Sequence, residues 1–146
     1  KFPMVVIRLF LVYGPGQNSE RFLPQIINGC LSGDDFPVSK GEQLRDFCYI
    51  DDIIRGILLT LENNEAIGEV INLGSGNPLS IKHVIKNIQK IVGKGNPDFG
   101  KYSYRVDENM ELYANIQKAN KILNWQPNVD INHGLKKTIA YFKEQS

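Results

Sequence analysis

Cysteine is scarce in this chain, and neither sign of charge is in surplus. Among 146 residues the only cysteines are Cys30 and Cys48, which form neither a CxxC pair nor a metal-ligand spacing and are too few to brace a small secreted domain. A disulfide scaffold and a thiolate metal site are thereby excluded, and reduced thiols in a cytoplasmic protein are expected. Seventeen basic residues against sixteen acidic ones leave a formal charge of +1, so general attraction to nucleic acid is excluded and any anion site must be local. Histidine is as rare as cysteine: His83 falls off the apolar face of its helix, His133 lies in a helix's first turn, and neither suggests a metal. No apolar run approaches the ~20 residues that span a bilayer, and no charged-then-apolar leader opens the chain, so a soluble protein without a membrane partner is expected. A methionine at position 1 is also missing. Lys1 to Val6 (KFPMVV) enters a strand-like run at once, and the expectation is a piece of a longer gene product, or a chain from which a tag was removed.

What is present is enough apolar material, 42% of residues, for one globular unit with its own core. Met4 to Tyr13 (MVVIRLFLVY) is a nearly continuous apolar run closed by Gly14-Pro15-Gly16, which predicts a strand buried on both faces. Phe22, Leu23, Ile26, Ile27, Cys30 and Leu31 recur at helical spacing and stop at Gly33. Two short extended pieces between Phe36 and Tyr49 flank a turn at Lys40-Gly41-Glu42. Asp51 or Asp52 then caps a helix whose apolar face is Ile53, Ile54, Ile57, Leu58 and Leu61. A buried strand at Glu69 to Leu73 precedes the most strongly patterned helix, capped by Ser80, with Ile81, Val84, Ile85, Ile88, Ile91 and Val92 on one side and Gly93 at its end. Gly93 to Gly100 reads as a loop and Tyr102 to Val106 as a short extended stretch. Helices at 115–124 and from Asp130 to about Phe142 close the chain, separated by Pro127. Alternating strands and helices give an α/β class, but two long strands are too few for a complete doubly wound sheet.

Two kinds of chemistry are missing. Gly74-Ser75-Gly76-Asn77-Pro78-Leu79 follows a strand and precedes a helix, where a dinucleotide fingerprint would sit, but the third glycine position holds Leu79 and Pro78 restricts the turn. A plain strand-to-helix turn is the better reading. A tyrosine base activated by a lysine one helical turn later requires Tyr-x-x-x-Lys. Tyr13, Tyr49, Tyr102, Tyr104, Tyr113 and Tyr141 are followed four places on by Gln17, Ile53, Val106, Glu108, Gln117 and Gln145, so this chain alone should not transfer hydride and no residue is assigned to catalysis.

A nucleoside diphosphate is a compact double negative charge, answered by arginines that fork onto its oxygens, by backbone amides and by a tyrosine hydroxyl. Arg45 precedes a helix in Gln43-Leu44-Arg45-Asp46-Phe47-Cys48-Tyr49, and Arg105 ends Tyr102-Ser103-Tyr104-Arg105. Four segments now stand in order. They are Arg8-Leu9-Phe10 with Tyr13-Gly14-Pro15-Gly16, Gly41 to Asp52 (GEQLRDFCYIDD), Asn72-Leu73-Gly74-Ser75-Gly76, and Lys118-Ala119 through Leu123-Asn124-Trp125-Gln126-Pro127. Together they resemble the C-terminal half of extended short-chain dehydrogenases, the NAD(P)-dependent nucleotide-sugar epimerases, 4,6-dehydratases and 4-ketoreductases.

The resemblance covers essentially the whole chain. It implies a partial Rossmann-type sheet plus the small mixed α/β substrate-binding domain, with residues 1–146 as the substrate-binding portion and the dinucleotide-binding portion outside this chain. It further implies that Arg45, in the family's Arg-Asp-Phe/Tyr motif, and Arg105 contact the diphosphate of a nucleoside diphosphate-sugar. Tyr13, Gly14, Pro15, Gln17, Arg21 and Phe22 then border the pocket. NAD or NADP is implied for the intact enzyme, which the family suggests is a homodimer, and no cofactor is expected for this chain alone. One position departs: Leu11 stands where the family often has an asparagine that contacts the ligand, and an isobutyl group makes no hydrogen bond. The form RLFLVYGPG leans toward 4-keto-sugar reductases.

Plainer readings stand beside these. Arg45 and Asp46 form a surface ion pair in one of them. Asp51 and Asp52 serve as cap and first-turn acids; Lys82, Lys86, Lys90 and Lys94 stripe a solvated helix face; Trp125 anchors a helix end. The whole chain is alternatively a non-catalytic nucleotide-sugar binding or regulatory module, or a fragment whose bare strands pair with another copy.

Overall fold

The computed structural model describes residues 3–145, so the Lys1-Phe2 opening of the expected strand-like run lies outside them. The run from Met4 to Tyr13 breaks at Phe10 into β1 (Val6–Leu9) and β2 (Leu11–Tyr13). After them come α1 (Phe22–Ser32), β3 (Asp35–Ser39), β4 (Leu44–Tyr49), α2 (Ile50–Glu62) and β5 (Val70–Leu73). β6 (Pro78–Ser80), α3 (Ile81–Val92), β7 (Asn96–Tyr102), β8 (Glu111–Leu112), α4 (Gln117–Leu123) and α5 (Ile131–Gln145) complete the order. The class is mixed α/β, with parallel and mixed sheets.

The break at Phe10 follows from pairing. β1 runs parallel to β5, with Ile7 opposite Ile71, whereas β2 runs parallel to β4, with Leu11 opposite Phe47. Burial on both faces, expected from the apolar run, does not hold: Val6, Leu9 and Leu11 are 40%, 48% and 39% exposed. Among the described residues β5 is the only partner of β1, and Val6 and Val70, opposite one another, are both exposed. The covered face carries Ile71 and Leu73, which pack with Cys48, Ile53, Ala119, Leu123 and Trp125.

The helix α2 also departs from expectation. Its N-cap position is Tyr49 without a side-chain cap, so Asp51 and Asp52 are first-turn residues and neither caps. Of the five expected apolar positions only Ile53 is fully buried, while Ile54, Leu58 and Leu61 are 48%, 52% and 78% exposed. Two contacts set this rotation. A Cβ at Gly56 would stand 2.7 Å from Leu73 Cδ1 and 3.0 Å from Trp125 Nε1, so the helix's glycine side lies tight against the core. Asp52, on the same side, accepts the amides of Asn128 at 3.0 Å and Val129 at 2.9 Å, and its backbone carbonyl accepts Trp125 Nε1–H at 3.0 Å. Trp125 is fully buried and is the packing anchor expected of it.

α1 and α3 form where the pattern places them, each ended by a glycine in the left-handed region, Gly33 and Gly93, both at φ 85°. Ser80 Oγ accepts the His83 amide at 3.1 Å, as a cap should, and the four lysines of the stripe are solvent-exposed. These helices pack with α5 over a second core containing Tyr13, Ile27, Phe47, Val84, Ile88, Leu135 and Ile139. The expected loop from Gly93 to Gly100 instead holds most of β7, parallel to β3, with a register shift between Val38 and Ser39. Glycine and proline there obscure a strand. Gly95, at φ 85°, carries the chain past the Cys30 backbone where a side chain would collide. Of the stretch expected to be extended at Tyr102 to Val106, only Tyr102 belongs to a strand. The turn after β5 does not lead straight into a helix but into β6, antiparallel to β4. α4 is shorter than expected and ends at Asn124 in the left-handed conformation.

Candidate functional site

β4 organises the site because it has neighbours along its whole length. Its first half lies between β6 and β8, with Arg45 opposite both Leu79 and Leu112, and its second half pairs with β2. Alternation along a strand puts Arg45, Phe47 and Tyr49 on one face and Leu44, Asp46 and Cys48 on the other. The neighbours Arg45 and Asp46 therefore point apart, and the ion pair weighed from sequence does not form.

Asp46 is completely buried and accepts three amides, from Ser75 at 2.5 Å, Gly76 at 2.9 Å and Ala114 at 3.0 Å. The turn that resembled a dinucleotide fingerprint is thus pinned from inside. Two of its amides are already committed to a carboxylate, so it does not fit a cofactor's pyrophosphate.

On the opposite face Arg45 Nη2 is paired with Glu108 Oε1, and Nη1 donates to the Leu44 carbonyl at 2.8 Å. Their side chains are 12% and 20% exposed. Glu108 comes from the irregular segment between β7 and β8, where its amide bonds the Arg105 carbonyl at 3.1 Å. That segment is held along β4 at two more points. Tyr104 Oη accepts the Glu42 amide at 3.0 Å and donates to Glu42 Oε2 at 3.2 Å, and the Leu44 amide donates to the Met110 carbonyl at 2.7 Å. Arg105 is exposed. The structure thus puts Arg105 on the same irregular segment as Glu108, whose carboxylate lies on Arg45.

The other six candidates, Tyr13, Gly14, Pro15, Gln17, Arg21 and Phe22, line a cleft of about 710 Å³ formed by the Leu9 to Leu23 segment together with Phe47 and Ile50. Arg45 and Arg105 are not among its lining residues; Arg45 stands one alternation from Phe47 on the same strand face. Phe22 packs its ring 6.2 Å from that of Phe47, and Arg21 is exposed at the start of α1 without capping it. Gln17 is fixed by donating Nε2–H to the Val12 carbonyl at 3.0 Å, which leaves its Oε1 buried and without a partner. Tyr13 sends its ring into the core, edge-on to Tyr49 at 5.6 Å, and its unpartnered hydroxyl faces Gly134. Burial first, then the nearby Cys48 and Asp130, hold the Tyr13 hydroxyl well above the ordinary phenol range. Leu11, at the departing position, borders the same cleft.

Neither thiol is available for chemistry. Burial pushes Cys30 up to about 11, and burial, with Asp52 and Asp46 nearby, pushes Cys48 up to about 12. No group of three or more His, Cys, Asp or Glu among the described residues is arranged to hold a metal, and no described helix is long and apolar enough to cross a membrane. Sequence reasoning missed Glu108 and the inward role of Asp46. The available signal for the first was its place three residues after Arg105, on a segment already flagged for a phosphate contact.

Comparison with known proteins places the chain as a whole. The model of the NAD dependent epimerase/dehydratase family matches residues 1–74. The chain is 37% identical over 142 residues to a UDP-glucuronate 4-epimerase of Thermodesulfobacterium geofontis, covering 95% of this chain and 43% of that protein. It superposes with TM-score 0.91 and 28% identity on the epimerase Mth375 of Methanothermobacter thermautotrophicus, covering 98% of this chain and 44% of the other. With TM-score 0.89 and 36% identity it matches the UDP-glucuronic acid 4-epimerase of Bacillus cereus, solved in complex with UDP-glucuronic acid and NAD, over 99% of this chain and 46% of that one. The chain thus spans less than half the length of these relatives. It belongs to the NAD-dependent epimerase/dehydratase family.

Proposed function

We propose that this chain is the substrate-binding portion of an NAD(P)-dependent nucleotide-sugar epimerase, dehydratase or 4-ketoreductase, and that it binds a nucleoside diphosphate-sugar. The observation that supports the reading is the half-buried Arg45 at the start of β4, paired with Glu108 of the segment that also carries Arg105, one strand alternation from Phe47 of a cleft bordered by Gln17, Arg21 and Phe22. Two guanidinium groups answer a diphosphate by charge and by forked hydrogen bonds. The cleft, mostly apolar, receives the rest of the ligand. What this portion contributes is placement, holding the ligand so that a reacting sugar carbon is oriented for chemistry supplied from elsewhere.

That chemistry belongs, in this proposal, to a dinucleotide-binding α/β portion that holds NAD or NADP, since the glycine turn of this chain does not fit the cofactor. Two surfaces are open to it: the free edge of β1, with Val6 and Val70 exposed on the β1–β5 pair, and the exposed stripe Ile54, Leu58 and Leu61 of α2. Parallel strands with open edges and an uncovered apolar helix face are surfaces that another α/β layer covers. The chain's share of its relatives' length, 43% to 46% in the three comparisons above, matches a portion of this kind. Homodimerisation of the intact protein and a cytoplasmic setting, consistent with two unbridged buried thiols, complete the proposal.

Calorimetric titration with UDP-glucuronic acid tests the site. Arg45→Ala is expected to weaken binding by about tenfold or more, and Lys86→Ala, on the solvated stripe, to leave it unchanged. Equal effects of the two substitutions would remove the assigned pocket.

A further inference from the structure

We propose that Arg8 is an ionic socket of this portion: an unpaired guanidinium in a cleft on the outer face of the β1–β5 pair, which takes a carboxylate from the dinucleotide-binding portion when the two dock. The inference rests on the docking reading above and adds the chemistry by which that partner is recognised. Parallel register and strand alternation put Ile7 with Ile71 on the side that packs with α2, and Val6, Arg8, Val70 and Asn72 together on the other, with Arg8 opposite Asn72. On that second side a cleft of about 400 Å³ is lined by Arg8, Val70 and Asn72 and by Asn115, Gln117 and Lys118 at the start of α4.

The charged groups of this cleft are spent except for one. Lys118 Nζ is paired with Glu69 Oε2 at 2.9 Å, and Asn72 Nδ2 donates to the Asn115 carbonyl at 3.2 Å. Glu69 adjoins Val70 and is thus already neutralised, and among the described residues no carboxylate pairs with Arg8. The cleft keeps one uncompensated positive charge.

Its position decides what that charge is for. β1 has a free edge, and a strand that adds there continues a parallel sheet, whose crossover connection lays a helix across one face. The side of Ile71 and Leu73 is already packed with Ile53 of α2, so the face left for a new layer is the one that carries Arg8. The relatives compared above have more than half their length outside the matched region, which is ample for such a layer. Covering the face takes Arg8 out of water, and a guanidinium stripped of water without a partner is strongly unfavourable. A layer that fits must therefore bring a carboxylate over Arg8, whereas a cation or a wholly apolar surface there is rejected. Because the planar guanidinium takes both carboxylate oxygens in parallel, the pair fixes the register of docking as well as favouring it.

The test joins the remainder of the Bacillus cereus UDP-glucuronic acid 4-epimerase ahead of the full 146-residue chain in one polypeptide, and compares its thermal unfolding with that of the chain alone. Arg8→Met keeps an unbranched apolar stem and removes the charge. It should leave the midpoint of the chain alone unchanged within about 1 °C, since Arg8 is exposed there, and lower that of the joined protein by about 5 °C or more. Arg8→Lys should recover part of the loss. Amide substitution of the acids in the joined remainder, one at a time, is expected to find one whose effect vanishes in the Arg8→Met background. An unchanged or raised midpoint of the joined Arg8→Met protein, an equal loss in the chain alone, or no such acid overturns the inference and leaves docking standing. Self-association of the parent chain that Arg8→Met abolishes would give the socket to a second copy, and overturns it too. If the joined parent unfolds in two steps, one at the midpoint of the chain alone, the docking reading falls and the inference with it. Should the joined Arg8→Met protein not fold, Arg8→Lys decides: a folded protein of intermediate midpoint supports the socket, and an unfolded one overturns it.

Discussion

The carboxylate of Asp46 accepts the amide of Ala114, 68 residues further along the chain, at 3.0 Å. The same carboxylate holds the amides of Ser75 and Gly76, so one buried acid ties together β4, the glycine turn after β5 and the residues just beyond β8. Arg45 rides on the strand that this junction fixes. Asp46→Asn turns an acceptor into a donor facing amide hydrogens and should cost about 2 to 4 kcal/mol. Urea unfolding of the variant checks the loss, and a cost within experimental error would contradict the junction's role.

Gly56 marks the closest approach of α2 to the core. A methyl group there collides with Leu73 and with the indole of Trp125, and neither is a free chain end that can swing away. Gly56→Ala should destabilise by about 1 to 3 kcal/mol although alanine favours helix, and thermal unfolding reads the sign directly.

The two thiols give a pH signature. Cys48 rises from an ordinary 9.0 to about 12 and Cys30 from 9.0 to about 11, in both cases led by burial. Below pH 9 both states are protonated and the contribution to stability is fully present. From pH 9 upward the unfolded chain releases protons that the folded chain retains, so stability falls as the pH rises through 11 to 12. Neither thiol should react with a disulfide reagent at pH 8 until the chain unfolds. Cys48→Ser and Cys30→Ser should each flatten the alkaline decline measured by denaturant titration.

The exposed stripe of α2 separates docking from folding. Leu58 is 52% exposed, so Leu58→Lys should change stability by no more than about 0.5 kcal/mol. Docking should suffer much more. Co-expression with the dinucleotide-binding portion of a family member is expected to give a stoichiometric complex with the parent chain and none with Leu58→Lys. Concentration-dependent self-association of the parent chain alone, by light scattering, would instead assign the face to a second copy.

Much of the fold was legible because period and punctuation agree. The Ser80 cap, the Ile81 to Val92 stripe and the Gly93 stop all point to one helix, and α3 spans those residues. The strand run at Met4 to Tyr13 was legible as extended but not as broken, because the break comes from a change of partner that local sequence does not encode. The inward face of α2 was misread for a related reason: a glycine, a threonine and a hydrogen-bonded aspartate face the core there, and hydrophobicity alone cannot anticipate it. β7 was hidden by glycine and proline in a strand that pairs with β3 rather than with a neighbour in sequence. At the site the two arginines stood out by residue type and motif. Glu108 did not, because a partner 63 residues from Arg45 becomes visible only once β8 lies against β4.

Chemical-shift mapping of the isotope-labelled chain on addition of UDP-glucuronic acid addresses the nucleotide-sugar site most directly. The largest changes are expected at Arg45, Arg105 and Glu108, with smaller ones at Gln17, Phe22 and Phe47, and the α3 lysines Lys82, Lys86 and Lys90 silent. Saturable shifts that cluster on α3 or on the outer face of β1 and β5, with Arg45 and Arg105 unmoved, would contradict the site.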